Sequence, residues 1–214
     1  MLKVWGRRNS LNVQKVLWLV GELELAYEHV PAGGDFGRLD EAEFRSKNPH
    51  GLVPVVEDDG VVLWESHAIL RHLAEAHGGE RFWPSLERRA RIEPWMDWEQ
   101  TSFQPSFSNG LFWGYYRTPA EQHDWPAIRR HIAVCDHELS VLDRVLAERR
   151  FVAGDQFSLA DVPIGTCMFR YFGLDLPRLT LPNVERWYGE LQARPAYQDH
   201  VMLPFEDLRG RLAF

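Results

Sequence analysis

The chain has 214 residues, 45% of them hydrophobic and 26% charged, which is typical of a globular protein with room for two modest domains. A net charge of −7 argues against general nucleic-acid binding, and no apolar run approaches the ~20 residues of a membrane-spanning helix. The two cysteines, Cys135 and Cys167, lie far apart in apolar helical patterns, so the sequence predicts neither a disulfide framework nor a zinc site.

Residues 1–78 alternate between strand-like and helix-like patterns and predict an α/β domain. The apolar residues between Leu11 and Leu23 recur at helical spacing behind Ser10, which occupies the N-cap position. The predicted order is β-α-β-α-β-β-α, in which a parallel pair of strands comes first and an antiparallel hairpin follows. In chain order, these elements are predicted at 2–6, 11–23, 27–30, 39–47, 53–56, 61–63 and 65–76.

The segment from Asn48 to His67, NPHGLVPVVEDDGVVLWESH, has the pattern most suggestive of a binding site. Pro54 has no backbone N–H and stands inside a short apolar run, where it is tolerated at a strand start or with a cis X–Pro bond. In either case the N–H and C=O of Val53 are freed from ladder pairing. Glu65 and Ser66 follow the hairpin where a helix begins and its first N–H groups are exposed. The segment therefore predicts either a well-capped hairpin or a cradle for a small polar ligand.

Nine histidines raise the question of a metal site. His67, His72 and His77 recur every five residues, a spacing that rotates around a helix instead of lining one face, so we expect no metal ion. No signal-peptide pattern opens the chain, and a cytoplasmic location is the default expectation.

Residues 87–214 predict a second domain that is entirely helical, separated from the first by breaks at Gly78-Gly79 and Trp83-Pro84. Pro94 and Pro105 are expected to bend or break the first of its helices. Ser158, followed three residues later by Asp161, predicts a capping box at the start of a core helix. The helical patterns cover 87–103, 119–148, 158–171 and 182–193.

Three segments, GRRNSLNVQKVLW, NPHGLVPVVEDDGVVLWESHAIL and FSLADVPIG, together resemble the soluble, cytosolic-type glutathione S-transferase family, with a bacterial serine/asparagine-type site. The resemblance spans essentially the whole chain. It implies an N-terminal thioredoxin-like domain that holds glutathione and an all-α C-terminal domain that lines a pocket for the acceptor substrate. It also implies a homodimer and a detoxification role. The histidine spacing, net charge and hydropathy predict no metal and no nucleic-acid or membrane partner.

The resemblance assigns the cradle to glutathione. Val53 matches the residue whose backbone pairs with the cysteinyl part of the peptide, and Pro54 matches the family's cis-proline. Glu65 and Ser66 match the pair that holds the γ-glutamyl end, which agrees with a carboxylate and a helix N-terminus facing an ammonium and a carboxylate.

One position departs from the family pattern. Leu52 stands where many relatives have Lys or Arg near the glycyl carboxylate of glutathione. The resemblance therefore implies that His50 or Lys47 binds this carboxylate, or that the carboxylate has no basic partner in this chain.

Ser10 and Asn12, in the first turn of the first helix, are the candidates for activating the thiol. A free thiol with a pKa of about 8.5 is mostly protonated at neutral pH, whereas the thiolate is the nucleophile. A hydroxyl or amide donor and the helix dipole favour the thiolate, and a Ser, an Asn two positions later, or both serve this role in related enzymes. The alternative for Ser10 is a plain N-cap, and the alternative for Asn12 is that it satisfies local backbone groups. We expect Trp5 to serve in packing.

Three functions fit these features. The first is a glutathione transferase acting on a hydrophobic electrophilic small molecule. The second is a glutathione-dependent disulfide reductase or peroxidase, which would borrow both thiols from glutathione because residues 9–12 include no cysteine. The third is a non-catalytic glutathione-binding protein with the same fold.

Aromatic residues crowd the stretch between 103 and 116, which Pro105, Gly110 and Gly114 are expected to keep irregular. Aromatic side chains on such a segment predict a pocket for a flat apolar acceptor. The alternative is that they pack in the core.

Overall fold

The computed structural model describes residues 1–212. Within them the chain forms two compact units. The first unit comprises residues 1–84 together with 195–203, and the second comprises 85–194 together with 204–212. In the first unit the elements are β1 (Leu2–Trp5), α1 (Leu11–Glu22), β2 (Tyr27–Val30), a 3₁₀ turn (Gly34–Phe36), α2 (Ala42–Lys47), β3 (Val55–Asp58), β4 (Val61–Trp64), α3 (Ser66–His77) and the short α4 (Gly79–Phe82).

The described part of the first unit contains one four-stranded sheet in the order β2-β1-β3-β4. The β1–β2 pair is parallel, whereas the β1–β3 and β3–β4 pairs are antiparallel. This topology confirms the predicted β-α-β-α-β-β-α order, which is the thioredoxin-like arrangement. The order was predictable because strand-like and helix-like spacings of apolar residues differ.

Helices α1 and α3 bury apolar faces in the first unit. The buried residues of α1 include Val13, Val16 and Leu17, and those of α3 include Ile69 and Leu70. The last helix of the chain, α9 (Pro195–His200), belongs to the same unit, where Tyr197 contacts Trp18 edge-on with ring centroids 4.7 Å apart. The sequence patterns did not predict this six-residue helix because it is too short to show a helical period.

Asp58, at the end of β3, links the hairpin to α3. Its Oδ2 atom accepts hydrogen bonds from His72 Nε2 at 2.9 Å and His77 Nε2 at 2.8 Å. Burial alone would raise the pKa of Asp58, but the hydrogen bonds and charges of the two imidazoles together lower it. Two of the regularly spaced histidines therefore have a structural partner. Within residues 1–212, no cluster of three His, Cys, Asp or Glu side chains is arranged to hold a metal ion.

The second unit is helical, as predicted. Its elements are α5 (Leu86–Trp98), two π-helical stretches (Glu99–Phe103 and Pro105–Arg117), α6 (Trp125–Leu146), α7 (Asp161–Gly173), α8 (Pro182–Gln192) and 3₁₀ turns at Ala120–Gln122 and Glu206–Leu208. Among the described helices of both units, none combines the length and apolar character needed to cross a membrane.

Pro94 lies inside α5 without breaking it, and Pro105 is the first residue of the second π-helical stretch. One expectation for the second unit was wrong. The aromatic segment that was expected to be irregular is a π-helix, which retains backbone hydrogen bonds through Gly110 and Gly114. Propensity alone does not distinguish a widened helix from a broken one.

Candidate active site

Three segments leave the sheet of the first unit at the same end. Trp5 ends β1 and pairs with Val55, the first residue of β3, and Val55 also pairs with Trp64, the last residue of β4. The loop that leads into α1, the segment that precedes β3 and the start of α3 are therefore neighbours. This register, and not sequence proximity, brings the predicted thiol-activating and peptide-binding residues to one edge.

Val53 lies outside the paired register of β3, and the Val53–Pro54 peptide bond is cis. The chain passes close to Val53 at Gly6, directly after β1, where an added Cβ would lie 3.2 Å from Val53 Cβ and would collide with Val13 of α1. The half-buried Val53 therefore sits beside both the end of β1 and the first turns of α1.

Ser10 is the N-cap residue of α1, with φ −88° and ψ 127°. Its carbonyl accepts a hydrogen bond from Gln14 N at 2.9 Å, and its N–H donates to Arg7 O at 3.1 Å. The hydroxyl makes no capping hydrogen bond within the described part of the chain. This differs from a plain N-cap, in which the side-chain oxygen accepts from the backbone of the first turn. Asn12 is half-buried in the same turn.

Glu65 and Ser66 stand at the start of α3. Glu65 has φ 69°, an uncommon conformation for a residue with a side chain, and its carboxylate is exposed. Ser66 is the first residue of the helix and is buried. Neither α1 nor α3 carries an acidic residue inside its first turn, and Glu65 at the N-cap places a carboxylate beside the positive dipole end of α3.

The two candidates for the glycyl carboxylate lie in different surroundings. Lys47 Nζ lies 3.4 Å from Glu57 Oε1 and 5.2 Å from the centre of the Trp5 ring. His50 is exposed and contacts Trp64 edge-on, with ring centroids 5.2 Å apart. His50 is therefore the more accessible of the two, and the neighbouring Leu52 is 60% exposed.

Trp5 serves in packing, as expected. Its ring is 4% exposed and belongs to the core cluster of the first unit, which includes Phe44 and Val55. The indole N–H donates to Glu57 Oε1 at 2.6 Å. A donor that is already engaged with a carboxylate is not offered to a ligand sulfur.

Sequence reasoning missed a buried polar pair next to these residues. Lys15 of α1 and His67 of α3 are 0% and 2% exposed, and Lys15 Nζ lies 3.2 Å from His67 Nε2. The available signal was that Lys15 falls between the buried residues Val13 and Val16 in an otherwise apolar helix. Only the fold reveals that His67 is its partner.

The aromatic residues of the second unit divide into two groups. Phe103, Phe107, Phe112 and Tyr116 are buried, with stacked pairs at 5.6 Å (Phe103–Phe107) and 5.2 Å (Phe112–Tyr116). Trp113 and Tyr115 are half-buried. Core packing therefore accounts for four of the six.

The comparisons with known proteins agree with this geometry. Residues 1–75 match the glutathione S-transferase N-terminal domain, and residues 118–195 match the glutathione S-transferase C-terminal domain. The chain is 42% identical over 207 residues to glutathione S-transferase GstB of Escherichia coli (strain K12), covering 95% of this chain and 99% of that protein. It is 30% identical to glutathione S-transferase 3 of Zea mays, covering 94% and 93% of the two chains.

A solved structure extends the match to three dimensions. The theta class glutathione S-transferase of the citrus canker pathogen Xanthomonas axonopodis pv. citri, with glutathione bound, superimposes with a TM-score of 0.90 at 37% identity. The match covers 95% of this chain and 98% of that one. The chain therefore belongs to the glutathione S-transferase family and uses glutathione as the co-substrate of a transferase reaction.

Proposed function

We propose that Ser10 stabilises the thiolate of glutathione, which then attacks an electrophilic carbon of an apolar small molecule. With an aryl halide as acceptor, the sulfur forms a bond to the ring carbon, the carbon–halogen bond breaks and halide leaves. The thiol proton is released to solvent, so that the products are the thioether, halide and a proton. No redox partner is required.

The hydroxyl of Ser10 supports this proposal. The Ser10 hydroxyl makes no capping bond, so the first-turn N–H groups do not fix its orientation and its O–H can donate to a ligand at a helix end whose dipole favours negative charge. Asn12, in the first turn of the same helix, is proposed as a second donor near the sulfur. Together these groups favour the ionised thiol over the neutral one.

The rest of the peptide is proposed to lie along the same sheet edge. The backbone N–H and C=O of Val53, next to Pro54, would pair with the cysteinyl unit. Glu65 would receive the γ-glutamyl ammonium, and Ser66 with the start of α3 would receive its carboxylate. His50, or Lys47 after leaving Glu57, would contact the glycyl carboxylate. The proposed division is a glutathione-binding domain at 1–78 and an acceptor-substrate domain at 87–214.

Replacing Ser10 with alanine tests the proposal. The variant is expected to lose about tenfold in kcat/KM with a chloronitroaromatic acceptor at about pH 6.5, because one hydrogen bond to a charged sulfur is removed while Asn12 and the helix dipole remain. Ser85→Ala is the matched control, since Ser85 is also an N-cap serine without a capping bond, at the start of α5. Full activity of Ser10→Ala would remove Ser10 from the mechanism. Turnover of a small disulfide, measured in parallel, separates transfer from disulfide reduction.

We further propose that the protein acts as a homodimer in the cytoplasm. β4 is an edge strand on which Val61 and Val62 are exposed, and apolar edges of this kind are commonly covered by a partner. Both cysteines are free and buried, which suits a reducing compartment. Light scattering on the purified chain should give about twice the 24.9 kDa mass of one chain, and a single-chain mass would contradict the dimer.

A further inference from the structure

The Lys15–His67 pair connects the two helices that begin at the candidate site. Lys15 is fully buried in α1, and His67 is the second residue of α3 and nearly as buried. Their side-chain nitrogens lie 3.2 Å apart. Both side chains are polar, and placing them in the interior is costly unless each is well hydrogen-bonded.

The chemistry of the pair fixes the direction of the hydrogen bond. A lysine ammonium has three donors and no acceptor, so the Nε2 atom of His67 must be the acceptor. His67 then carries its ring proton on Nδ1 and is neutral in this arrangement. A protonated His67 would set two cations against each other at this distance, which the interior does not tolerate.

The position of the pair relates it to the site. Lys15 lies three residues after Asn12 and therefore on the same side of α1, one turn further from the helix start. His67 directly follows Ser66. The hydrogen bond between Lys15 and His67 therefore links α1, which begins after Ser10, to α3, which begins at Ser66, the proposed contact of the γ-glutamyl carboxylate.

We propose that Lys15, acting through His67, is a positioning residue that holds the start of α1, with Ser10, in register with the start of α3, with Ser66. The inference rests on the proposed role of Ser10 and Ser66 and adds the element that sets the distance between them. Apolar contacts are non-directional, so they do not by themselves specify which side chains of the two helices lie opposite each other. A buried hydrogen bond has a preferred length and direction, so it restricts the relative position of α1 and α3 more tightly.

A misplaced Ser10 hydroxyl would donate poorly to the sulfur even when glutathione still binds. We therefore expect Lys15→Met, which keeps the length and the apolar stem, to raise the apparent pKa of the bound glutathione thiol by about one unit and to lower kcat/KM about tenfold at about pH 6.5. Lys3→Met is the matched control, because Lys3 is a lysine of β1 that pairs with Glu28 at 3.2 Å outside the core.

The test is a double-mutant cycle read by the ultraviolet absorbance of bound thiolate as a function of pH. If Lys15 acts through Ser10, then Lys15→Met shifts the thiol pKa in the wild-type background and changes it little in the Ser10→Ala background. Equal shifts in both backgrounds, or no shift in the wild type, would overturn the inference. Failure of the Ser10 proposal has a different signature, namely a Ser10→Ala variant with an unchanged thiol pKa.

Variants at His67 keep the inference testable should Lys15→Met fail to fold. His67→Gln retains a side-chain oxygen that can accept from Lys15 and should keep most of the wild-type thiol pKa. His67→Leu has a similar volume without an acceptor and should reproduce the Lys15→Met shift. Indistinguishable thiol pKa values for the folded glutamine and leucine variants would contradict the role of the hydrogen bond.

Discussion

Replacing Asp161 with alanine is expected to lower the free energy of unfolding by about 3–5 kcal/mol, a cost typical of breaking a buried polar network. Asp161 is fully buried at the start of α7 and accepts four hydrogen bonds. The donors are Val152 N at 2.9 Å, Ser158 N at 2.9 Å, Ser158 Oγ at 3.2 Å and Trp187 Nε1 at 2.9 Å. Alanine would leave buried N–H groups of three segments without an acceptor, each at a cost of about 1–3 kcal/mol.

Equilibrium unfolding in urea at about pH 7 measures this loss. Asp155→Ala is the control, because Asp155 lies six residues away and is exposed, so its replacement should change the unfolding free energy by less than about 0.5 kcal/mol. A loss for Asp161→Ala no larger than that of the control would show that water or local rearrangement replaces the carboxylate.

The difference in unfolding free energy between wild type and Asp161→Ala is expected to depend on pH. Burial raises the pKa of Asp161 to about 6, against the four hydrogen bonds that lower it. The folded state therefore binds a proton before the unfolded state does, and Asp161 contributes more stability as the pH falls from about 6 towards 4. The difference in unfolding free energy between wild type and Asp161→Ala should be larger at about pH 4.5 than at about pH 7. A smaller difference at the lower pH would mean that the folded carboxyl is the stronger acid.

Local patterns were sufficient for the order of the elements and for the contact between Ser158 and Asp161, which lie within one turn of each other. The predicted N-cap position was wrong, because α7 begins at Asp161 with Ala160 as its N-cap and no side-chain capping bond. Pro54 and the Glu65-Ser66 pair led to the proposed cradle for a similar reason, since each marks a strand or helix end. Features that depend on a few neighbouring residues are recognisable without a fold.

The features that were missed depend on residues distant in sequence. Lys15 and His67 are 52 positions apart, and no local property of either names the other. The positive φ of Glu65 is likewise imposed by the connection from β4 into α3 and not by its own preference, which disfavours it. The absence of a capping bond at the Ser10 hydroxyl was also not predictable, because the sequence is the same whether or not an N-cap serine makes that bond.

Gly6→Ala is the substitution expected to affect glutathione binding most. Gly6 has φ 150°, and a Cβ at this position would collide with Val13 Cγ2 and lie 3.2 Å from Val53 Cβ. We expect a stability loss of about 2–4 kcal/mol from overpacking and backbone strain. Displacing the backbone of Val53 should also weaken glutathione binding by about 2 kcal/mol, or roughly 30-fold in Kd. Calorimetric titration and thermal unfolding measure the two effects separately.

Two further variants separate the collision from the backbone strain. Gly60→Ala places a Cβ at φ 90° in the β3–β4 turn, where no atom lies within 4 Å, so it should lower stability without changing the Kd for glutathione. Val13→Ala removes the methyl groups that the new Cβ meets, so adding it to Gly6→Ala should recover part of the lost affinity. If Gly6→Ala lowers the melting temperature but leaves the Kd unchanged, the backbone of Val53 does not bind the peptide. An added methyl at residue 6 meets two side chains, those of Val13 and Val53. If the double variant recovers affinity for glutathione, relief of this crowding has restored the position of Val53, and binding depends on that position.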